Sequence, residues 1–283
     1  MNYRHGYHAG NFADVVKHVA LVAVLLHLRK KDAAFSVIDS HAGRGLYDLS
    51  GDQALRTGEA QAGIARLLDI DGAMPEALST YLSLVKEGSG GGGTSAKSGA
   101  TIDRYPGSPM IAAKLLRPQD RLTAIEKHPQ EFAALKDVLS PFRNATAENA
   151  DGYARAMKLL PPPSRRGLVL MDPPFESPDE FSALAQAARD ATGKFATGIT
   201  LIWYPIKSQA EADGFVGEVL AGGIAKAMGV VTKVTAAGGK LNRAGLVVVN
   251  PPYGFEAQMR AAAGLVAPRL QGEIGLAWLA GSE

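Results

Sequence analysis

Short apolar runs alternate with helical segments through most of the chain, and this alternation restricts the fold more than any other feature. The strand-like runs include RLTAIE, RGLVLM, GITLIWYP and GLVVVN, and the helical segments include PQEFAALKDVLS and PDEFSALAQAARDA. Strands that are apolar along most of their length are buried on both faces, as in parallel sheets covered by helices. We therefore predict an α/β fold with a mostly parallel sheet and helices on both faces.

The first third of the chain is organised differently. A long helix is predicted from the NFAD segment to the basic RKK segment, and the strand AFSVID follows it. Residues 47–104 are helical in pattern and contain the glycine-rich segment 88–100, which has the composition of a linker. We predict that residues 1–46 and 105–283 form the core and that residues 47–104 form a small inserted helical subdomain.

Composition excludes several classes of protein. The chain of 283 residues has no cysteine, so it has neither disulfides nor thiolate metal sites, and we predict no metal. Its longest early apolar run, Val19–Leu26, is far shorter than the ~20 residues of a membrane span. The polar N-terminus is unlike a signal peptide. We expect a cytoplasmic protein without a membrane partner, and its net charge of +2 permits nucleic-acid binding without requiring it.

Polar residues follow the first three predicted core strands, where an open α/β sheet binds its ligands. The first strand ends in DSHAGRG, in which two glycines allow close approach of a ligand and Asp39 or His41 can meet its polar groups. Glu126 ends the second strand and is placed to accept hydrogen bonds from ribose hydroxyls. The third strand leads to Asp151 and Gly152, where a carboxylate could meet an adenine amino group. Together they predict a nucleoside pocket without a phosphate loop, which fits S-adenosylmethionine.

The tetrad DPPF, Asp172 to Phe175, follows the fourth predicted strand. An exocyclic amine is a poor nucleophile because its lone pair is delocalised into the aromatic ring. A carboxylate (Asp172) and a backbone carbonyl (Pro173) can accept both N–H groups and release that lone pair, while two prolines stiffen the turn. Phe175 can stack on an extruded base. The tetrad predicts methyl transfer to an amine, with Asp172 as proton acceptor.

Further motifs resemble one enzyme family. They are YRHGYHAGNFADVVKH at 3–18, YPGSP at 105–109, SRRGLVLMDPPFE and FATGITLIWYP. With them the chain is similar to the RlmJ family of 23S ribosomal RNA adenine-N6 methyltransferases over nearly its whole length. The resemblance implies a Rossmann-like class I methyltransferase core with an inserted helical subdomain. It also implies a monomer that uses S-adenosylmethionine and acts on 23S ribosomal RNA that is protein-free or early in assembly.

The family's functional residues map onto this sequence one by one. The implied cofactor contacts are His18, His41, Ser108, Glu126, Asp151, Gly152 and Asp172, and the implied substrate RNA contacts are Tyr3, His5 and Lys17. Asp172 is also the implied catalytic acceptor. No local pattern singles out His18 or Ser108. Phe175 stands where the tetrad commonly has tyrosine, so stacking is kept and a hydroxyl is lost.

A second tetrad, NPPY at Asn250–Tyr253, leaves other functions open. This form occurs in methyltransferases that act on amide or adenine nitrogens, so a protein glutamine-amide methyltransferase is one alternative. A catalytically idle RNA-binding assembly factor is another. The tetrad follows about the seventh strand after the glycine loop, towards the sheet edge, and we therefore predict a structural role for Asn250.

Overall fold

A computed structural model of the chain describes residues 8–51, 58–88, 102–235 and 241–282. The strands are β1 (Ser36–Asp39), β2 (Leu46–Asp48), β3 (Arg104–Pro106), β4 (Arg121–Ile125), β5 (Ala145–Glu148), β6 (Gly167–Met171), β7 (Ile199–Pro205), β8 (Ala227–Val234), β9 (Arg243–Val249) and β10 (Gly272–Ala280). The helices are α1 (Phe12–Arg29), α2 (Glu59–Ala62), α3 (Glu76–Gly88), α4 (Ser108–Leu115), α5 (Pro129–Leu139), α6 (Gly152–Lys158), α7 (Glu180–Lys194), α8 (Gln209–Leu220) and α9 (Phe255–Arg269), with a 3-10 helix at Ile64–Leu67.

Eight strands form the main sheet in the order β10-β8-β9-β7-β6-β1-β4-β5. The five strands from β7 to β5 in this order are parallel to one another, whereas β9 and β10 run in the opposite direction. β1, one of the shortest strands, lies between β6 and β4 at the centre of the parallel part. The prediction of a mostly parallel α/β sheet is therefore confirmed. The carboxyl ends of β1, β4, β5 and β6 meet at one edge of the sheet.

Helix α1 is apolar around most of its surface, and other elements bury nearly all of it before its last turn. Asn11 caps its first turn, accepting hydrogen bonds from the backbone N–H groups of Ala13 and Asp14. The helix packs on the sheet and is covered by α3, α4 and α9. A helix that is apolar all round is stable only in such a buried setting. The opposite face of the sheet is covered by α6, α7 and α8.

The inserted segment begins and ends at a small two-stranded sheet. β2 pairs with β3 in antiparallel fashion, with Tyr47 opposite Tyr105. Within the insertion, Ile64, Leu78 and Tyr81 are fully buried in the same hydrophobic cluster as α1. The division into core and inserted subdomain stays a prediction, and most of the glycine-rich segment lies outside the described residues. None of the described helices has the length and apolar character needed to cross a membrane.

Candidate active site

A cavity of about 830 Å³ lies at the carboxyl ends of the parallel strands. Ten of the residues singled out in the sequence line it: Lys17, His18, His41, Ser108, Glu126, Asp151, Gly152, Asp172, Pro173 and Phe175. The structure thus brings together residues from six elements that are far apart in the chain. Tyr3 and His5 fall outside the described residues. The roles assigned to all of these residues remain predictions.

Backbone groups orient the carboxylate of Glu126. Gly43, with a φ of +61°, donates its N–H to one carboxylate oxygen at 2.9 Å, and the N–H of His128 reaches the other at 2.7 Å. A Cβ atom on Gly43 would lie 2.2 Å from the hydroxyl of Tyr47, so the loop requires glycine here. Burial raises the pKa of Glu126 above its ordinary value, against these two hydrogen bonds. The carboxylate is held at the cavity wall with lone pairs left for ligand hydroxyls.

The N-terminus of α6 packs directly on the end of β1. A Cβ atom on Gly152 would lie 2.1 Å from the backbone oxygen of Ser40, so no other residue fits. Asp151, just before it, accepts hydrogen bonds from the N–H of Ala154 at 3.2 Å and from Lys127 at 3.0 Å. The predicted pair Asp151–Gly152 is thus held by a close backbone contact and a capped helix.

Asp39 is buried beneath the cavity with only half of its carboxylate satisfied. Ser108 donates its hydroxyl to Oδ2 at 2.7 Å, whereas buried Oδ1 has no hydrogen-bond partner among the described residues. Burial raises the pKa of Asp39 to about 7, although the bond from Ser108 opposes this shift. The neighbouring His41 accepts or donates a hydrogen bond with Ser40 at 2.8 Å, and burial lowers its pKa to about 4. Its ring is therefore neutral at neutral pH.

These shifts predict a pH-dependent contribution of Asp39 to stability. The raised pKa means that the folded protein binds this proton more tightly than the unfolded chain, so stability is lost as pH rises from 3.8 through about 7. Relative to an Asp39→Asn variant, the wild-type free energy of unfolding should fall by up to about 4 kcal/mol over that range. The opposite contribution of His41 is common to both proteins and cancels. Denaturant unfolding at several pH values measures the difference; a constant difference contradicts the prediction.

His18 belongs to a buried network that connects the cavity to the inserted segment. Its Nδ1 lies 2.7 Å from the hydroxyl of Tyr105, which lies 2.9 Å from that of Tyr81. The His18 ring also stacks on Tyr105 with centroids 5.6 Å apart. Sequence reasoning from residue patterns missed this histidine because its partners are distant in the chain. An imidazole fixed in this way is well placed to line a polar ligand.

The carboxylate of Asp172 is paired with a buried ammonium. Lys17 donates hydrogen bonds to Asp172 and, at 2.7 Å, to Asp14, which also accepts the N–H of Gly10 at 2.9 Å. Burial alone would lower the pKa of Lys17, but Asp14 and Asp172 outweigh it and raise the pKa above its ordinary value. Lys17 is 4% exposed. The side chain predicted to contact RNA is therefore buried and holds the carboxylate of Asp172 in place through a charged hydrogen bond.

The rest of the first tetrad faces an aromatic wall. Phe175 has a φ of +50°, an uncommon backbone conformation for an aromatic residue. Its ring lies edge-on to Phe181 at 4.8 Å and to Trp203 at 5.8 Å between centroids. Sequence analysis did not select Trp203, which also lines the cavity. Its position after apolar residues near the end of β7 is the signal that could have found it.

The second tetrad lies at the ends of the strands opposite the cavity. β9, which precedes Asn250, runs antiparallel to β7, so its carboxyl end is opposite those of β1, β4 and β6. The expected position of Asn250 beside an outer strand needs correction, because β9 lies between β7 and β8 in the sheet. The two tetrads are separated by strand direction, which puts them at opposite ends of the strands. The Asn250 amide donates to the backbone oxygens of Ala196 at 2.9 Å and Gly198 at 2.8 Å.

We therefore expect Asn250 to contribute to the stability of the fold and not to methyl transfer. Asn250→Ala removes both amide hydrogen bonds and places alanine at a φ of +53°. We expect a loss of about 1–3 kcal/mol in the free energy of unfolding. Methyl transfer by the folded variant should be unchanged. Chemical unfolding and a transfer assay below the unfolding transition measure both, and loss of transfer with retained cofactor binding would contradict the assignment.

The cavity fits S-adenosylmethionine by the chemistry of its walls. Glu126 offers an oriented acceptor for a ribose. The backbone at positions 43 and 152 packs so closely on its neighbours that only glycine fits there. Asp39 has a buried oxygen without a hydrogen-bond partner among the described residues. The tetrad with Asp172 begins directly after β6, beside this half of the cavity. A site of this kind at the carboxyl edge of an open α/β sheet is the one expected of a methyltransferase that uses S-adenosylmethionine.

Comparisons with known proteins identify the family. The family model described as "Ribosomal RNA large subunit methyltransferase D, RlmJ" matches residues 32–280, and the chain belongs to this family. Relatives named "Ribosomal RNA large subunit methyltransferase J" from Haemophilus influenzae and Escherichia coli are 36% and 37% identical to it, each alignment covering 92% of this chain and 90% of the relative. The crystal structure of protein LPL1258 from Legionella pneumophila is 30% identical, with a TM-score of 0.85 over 98% of this chain and 99% of that one. The resemblance read from the sequence motifs is confirmed.

Proposed function

We propose that this protein transfers a methyl group from S-adenosylmethionine to the exocyclic N6 amine of one adenine in 23S ribosomal RNA. The observation that carries the proposal is the Asp172 tetrad, which opens into the same cavity as the cofactor-side residues. Family membership supports ribosomal RNA of the large subunit as the substrate. The motif resemblance supports the adenine N6 position.

The proposed cofactor contacts come from four strand ends, from α1 and from the start of α4. They are His18, His41, Ser108, Glu126, Asp151, Gly152 and Asp172. Glu126 would accept hydrogen bonds from the ribose, and Asp151 would meet the adenine amino group. Bound S-adenosylmethionine supplies an electrophilic methyl group on a sulfonium. No metal takes part in the proposed reaction.

The tetrad activates the substrate amine by accepting its two N–H groups. One goes to the carboxylate of Asp172 and the other to the backbone oxygen of Pro173, which draws the nitrogen towards tetrahedral geometry. The nitrogen lone pair then forms the N–C bond while the carbon–sulfur bond breaks, and its electron pair stays on sulfur. Asp172 accepts the proton released from nitrogen. Positioning the amine in line with the methyl group supplies a large part of the rate enhancement.

The base must leave its stack to reach this depth in the protein. Phe175 would stack on the extruded adenine. We further propose that Tyr3, His5 and Lys17 support RNA binding or activity, with Lys17 acting through its ion pair with Asp172. The substrate would be 23S ribosomal RNA that is protein-free or early in assembly, methylated by a cytoplasmic monomer.

The alternatives are less well supported. A glutamine-amide methyltransferase would need the second tetrad, but the amide of Asn250 is engaged with two backbone oxygens at the opposite sheet edge. An idle RNA-binding factor would not need an oriented Glu126 and an Asp172 held by Lys17 in one cavity.

Methyl transfer from labelled S-adenosylmethionine to protein-free 23S ribosomal RNA tests the proposal. Digestion of the RNA to nucleosides should place the label in N6-methyladenosine. Label in another nucleoside would reject the N6 assignment. Label in protein would support the second tetrad, and cofactor binding without any transfer would support the idle factor.

A further inference from the structure

Trp203 lines the cavity from β7, which lies beyond β6 from β1, β4 and β5 in the sheet. Along β7 and its exit, Trp203, Pro205 and Lys207 line the cavity, whereas Tyr204 and Ile206 are buried in the core on the other side. This alternation is that of an extended strand, in which every second side chain points the same way. The Trp203 side chain therefore faces the cavity because of the register of β7.

Trp203 and Phe175 form a corner with two aromatic walls. Their ring centroids are 5.8 Å apart and their planes meet at 74°. Phe181 packs edge-on against Phe175 at 4.8 Å and fixes that ring from another direction. A flat base that lies against one wall of such a corner is stopped by the other wall. The corner thus restricts both the tilt and the sideways position of a base.

The indole of Trp203 is also unusual in its hydrogen bonding. Its Nε1–H is buried and has no partner among the described residues. Buried donors without partners are rare in folded proteins, so the orphaned N–H of Trp203 requires an explanation. The other tryptophan, Trp278, donates its N–H to Glu256 at 2.8 Å. Of the two tryptophans, Trp278 is thus hydrogen-bonded through its indole, whereas the Trp203 indole is held by packing.

We propose that Trp203 is a substrate-positioning residue that forms, with Phe175, the slot for the extruded adenine. This inference rests on the proposed function, because the slot holds the base whose N6 amine meets Asp172. Phe175 carries the stacking contact, and Trp203 sets the angle at which the base presents its amine. A ring of this size excludes water from the same corner.

Tryptophan fluorescence tests the proposal without relying on activity. The chain has two tryptophans, so a Trp278→Phe variant reports on Trp203 alone. The probe is the shortest 23S ribosomal RNA fragment that the wild-type enzyme labels, added with S-adenosylhomocysteine. We expect the Trp203 emission to be quenched in proportion to bound RNA, with binding followed in parallel by the anisotropy of the labelled fragment. The matched Trp203→Phe variant, which reports on Trp278, should show no quenching.

The outcomes separate the two proposals. RNA binding without quenching of Trp203, or with equal quenching of Trp278, overturns the role of Trp203 and leaves the proposed function standing. Failure of the wild-type protein to label or bind any 23S fragment rejects the proposed function and this slot with it. In the transfer assay, Trp203→Ala should lower kcat/KM by roughly 10- to 100-fold, and Trp203→Phe should retain most of it. Unchanged kcat/KM for a folded Trp203→Ala variant also overturns the role.

Discussion

Replacing Asp172 by asparagine is expected to lower the rate of methyl transfer by roughly 10²- to 10⁴-fold. Asparagine keeps the size of the side chain but has no negative charge and cannot accept the proton that leaves the amine. Its NH₂ group also presents donors where the substrate amine needs an acceptor. The buried ammonium of Lys17 keeps Asp14 as a partner at 2.7 Å, so the fold should survive.

Single-turnover transfer to protein-free 23S ribosomal RNA measures the effect. Each variant is first checked for cooperative unfolding and for cofactor binding by titration, because Asp172 also lines the cofactor side of the cavity. Asn250→Ala is the matched control, since it changes the corresponding position of the second tetrad. Equal transfer by wild type and Asp172→Asn would mean that another group accepts the proton and that the first tetrad was wrongly chosen.

The chemistry at the strand ends was predictable because it is encoded locally. Each parallel strand appears in the sequence as an apolar run, and the residue after it, such as Glu126 or Asp172, must lie at the carboxyl edge of the sheet. Parallel strands share that edge whatever their order. The sequence therefore placed these side chains at one edge of the sheet without any knowledge of strand order.

Contacts between distant segments were not predictable in the same way. Ser108 and Asp39, 69 positions apart, meet only because α4 packs against β1. Because β9 runs antiparallel to β7, Asn250 lies at the opposite ends of the strands from the cavity. An apolar run in the sequence does not show in which direction the strand will run. Trp203 depends on the register of β7, which is fixed by pairing with β6 and β9. Such features arise from tertiary structure rather than from local pattern.

Replacing Lys17 by methionine is expected to destabilise the protein by about 3–5 kcal/mol. Methionine fills much of the same space but leaves the buried carboxylate of Asp14 and the partly buried carboxylate of Asp172 without their shared counter-charge. Asp14 is 2% exposed, so water cannot replace the ammonium. One carboxyl must then take up a proton. If that proton resides on Asp172, the catalytic acceptor is neutralised, and transfer should fall together with stability.

Lys127→Met is the matched control for this change. Lys127 also pairs with an aspartate, Asp151, but the two side chains are 63% and 50% exposed, against 4% for Lys17 and 17% for Asp172. An exposed pair contributes only about 0–1 kcal/mol to stability. A larger loss of stability in Lys17→Met than in Lys127→Met would therefore come from the burial of the charges and not from their pairing alone. Urea unfolding at pH 7 and at pH 4 measures both. The deficit of Lys17→Met should shrink at the lower pH, where a carboxyl protonates readily. A deficit equal to that of Lys127→Met would show that Lys17 does not stabilise the buried carboxylates, and the account of Asp172 as an anchored anion would fail.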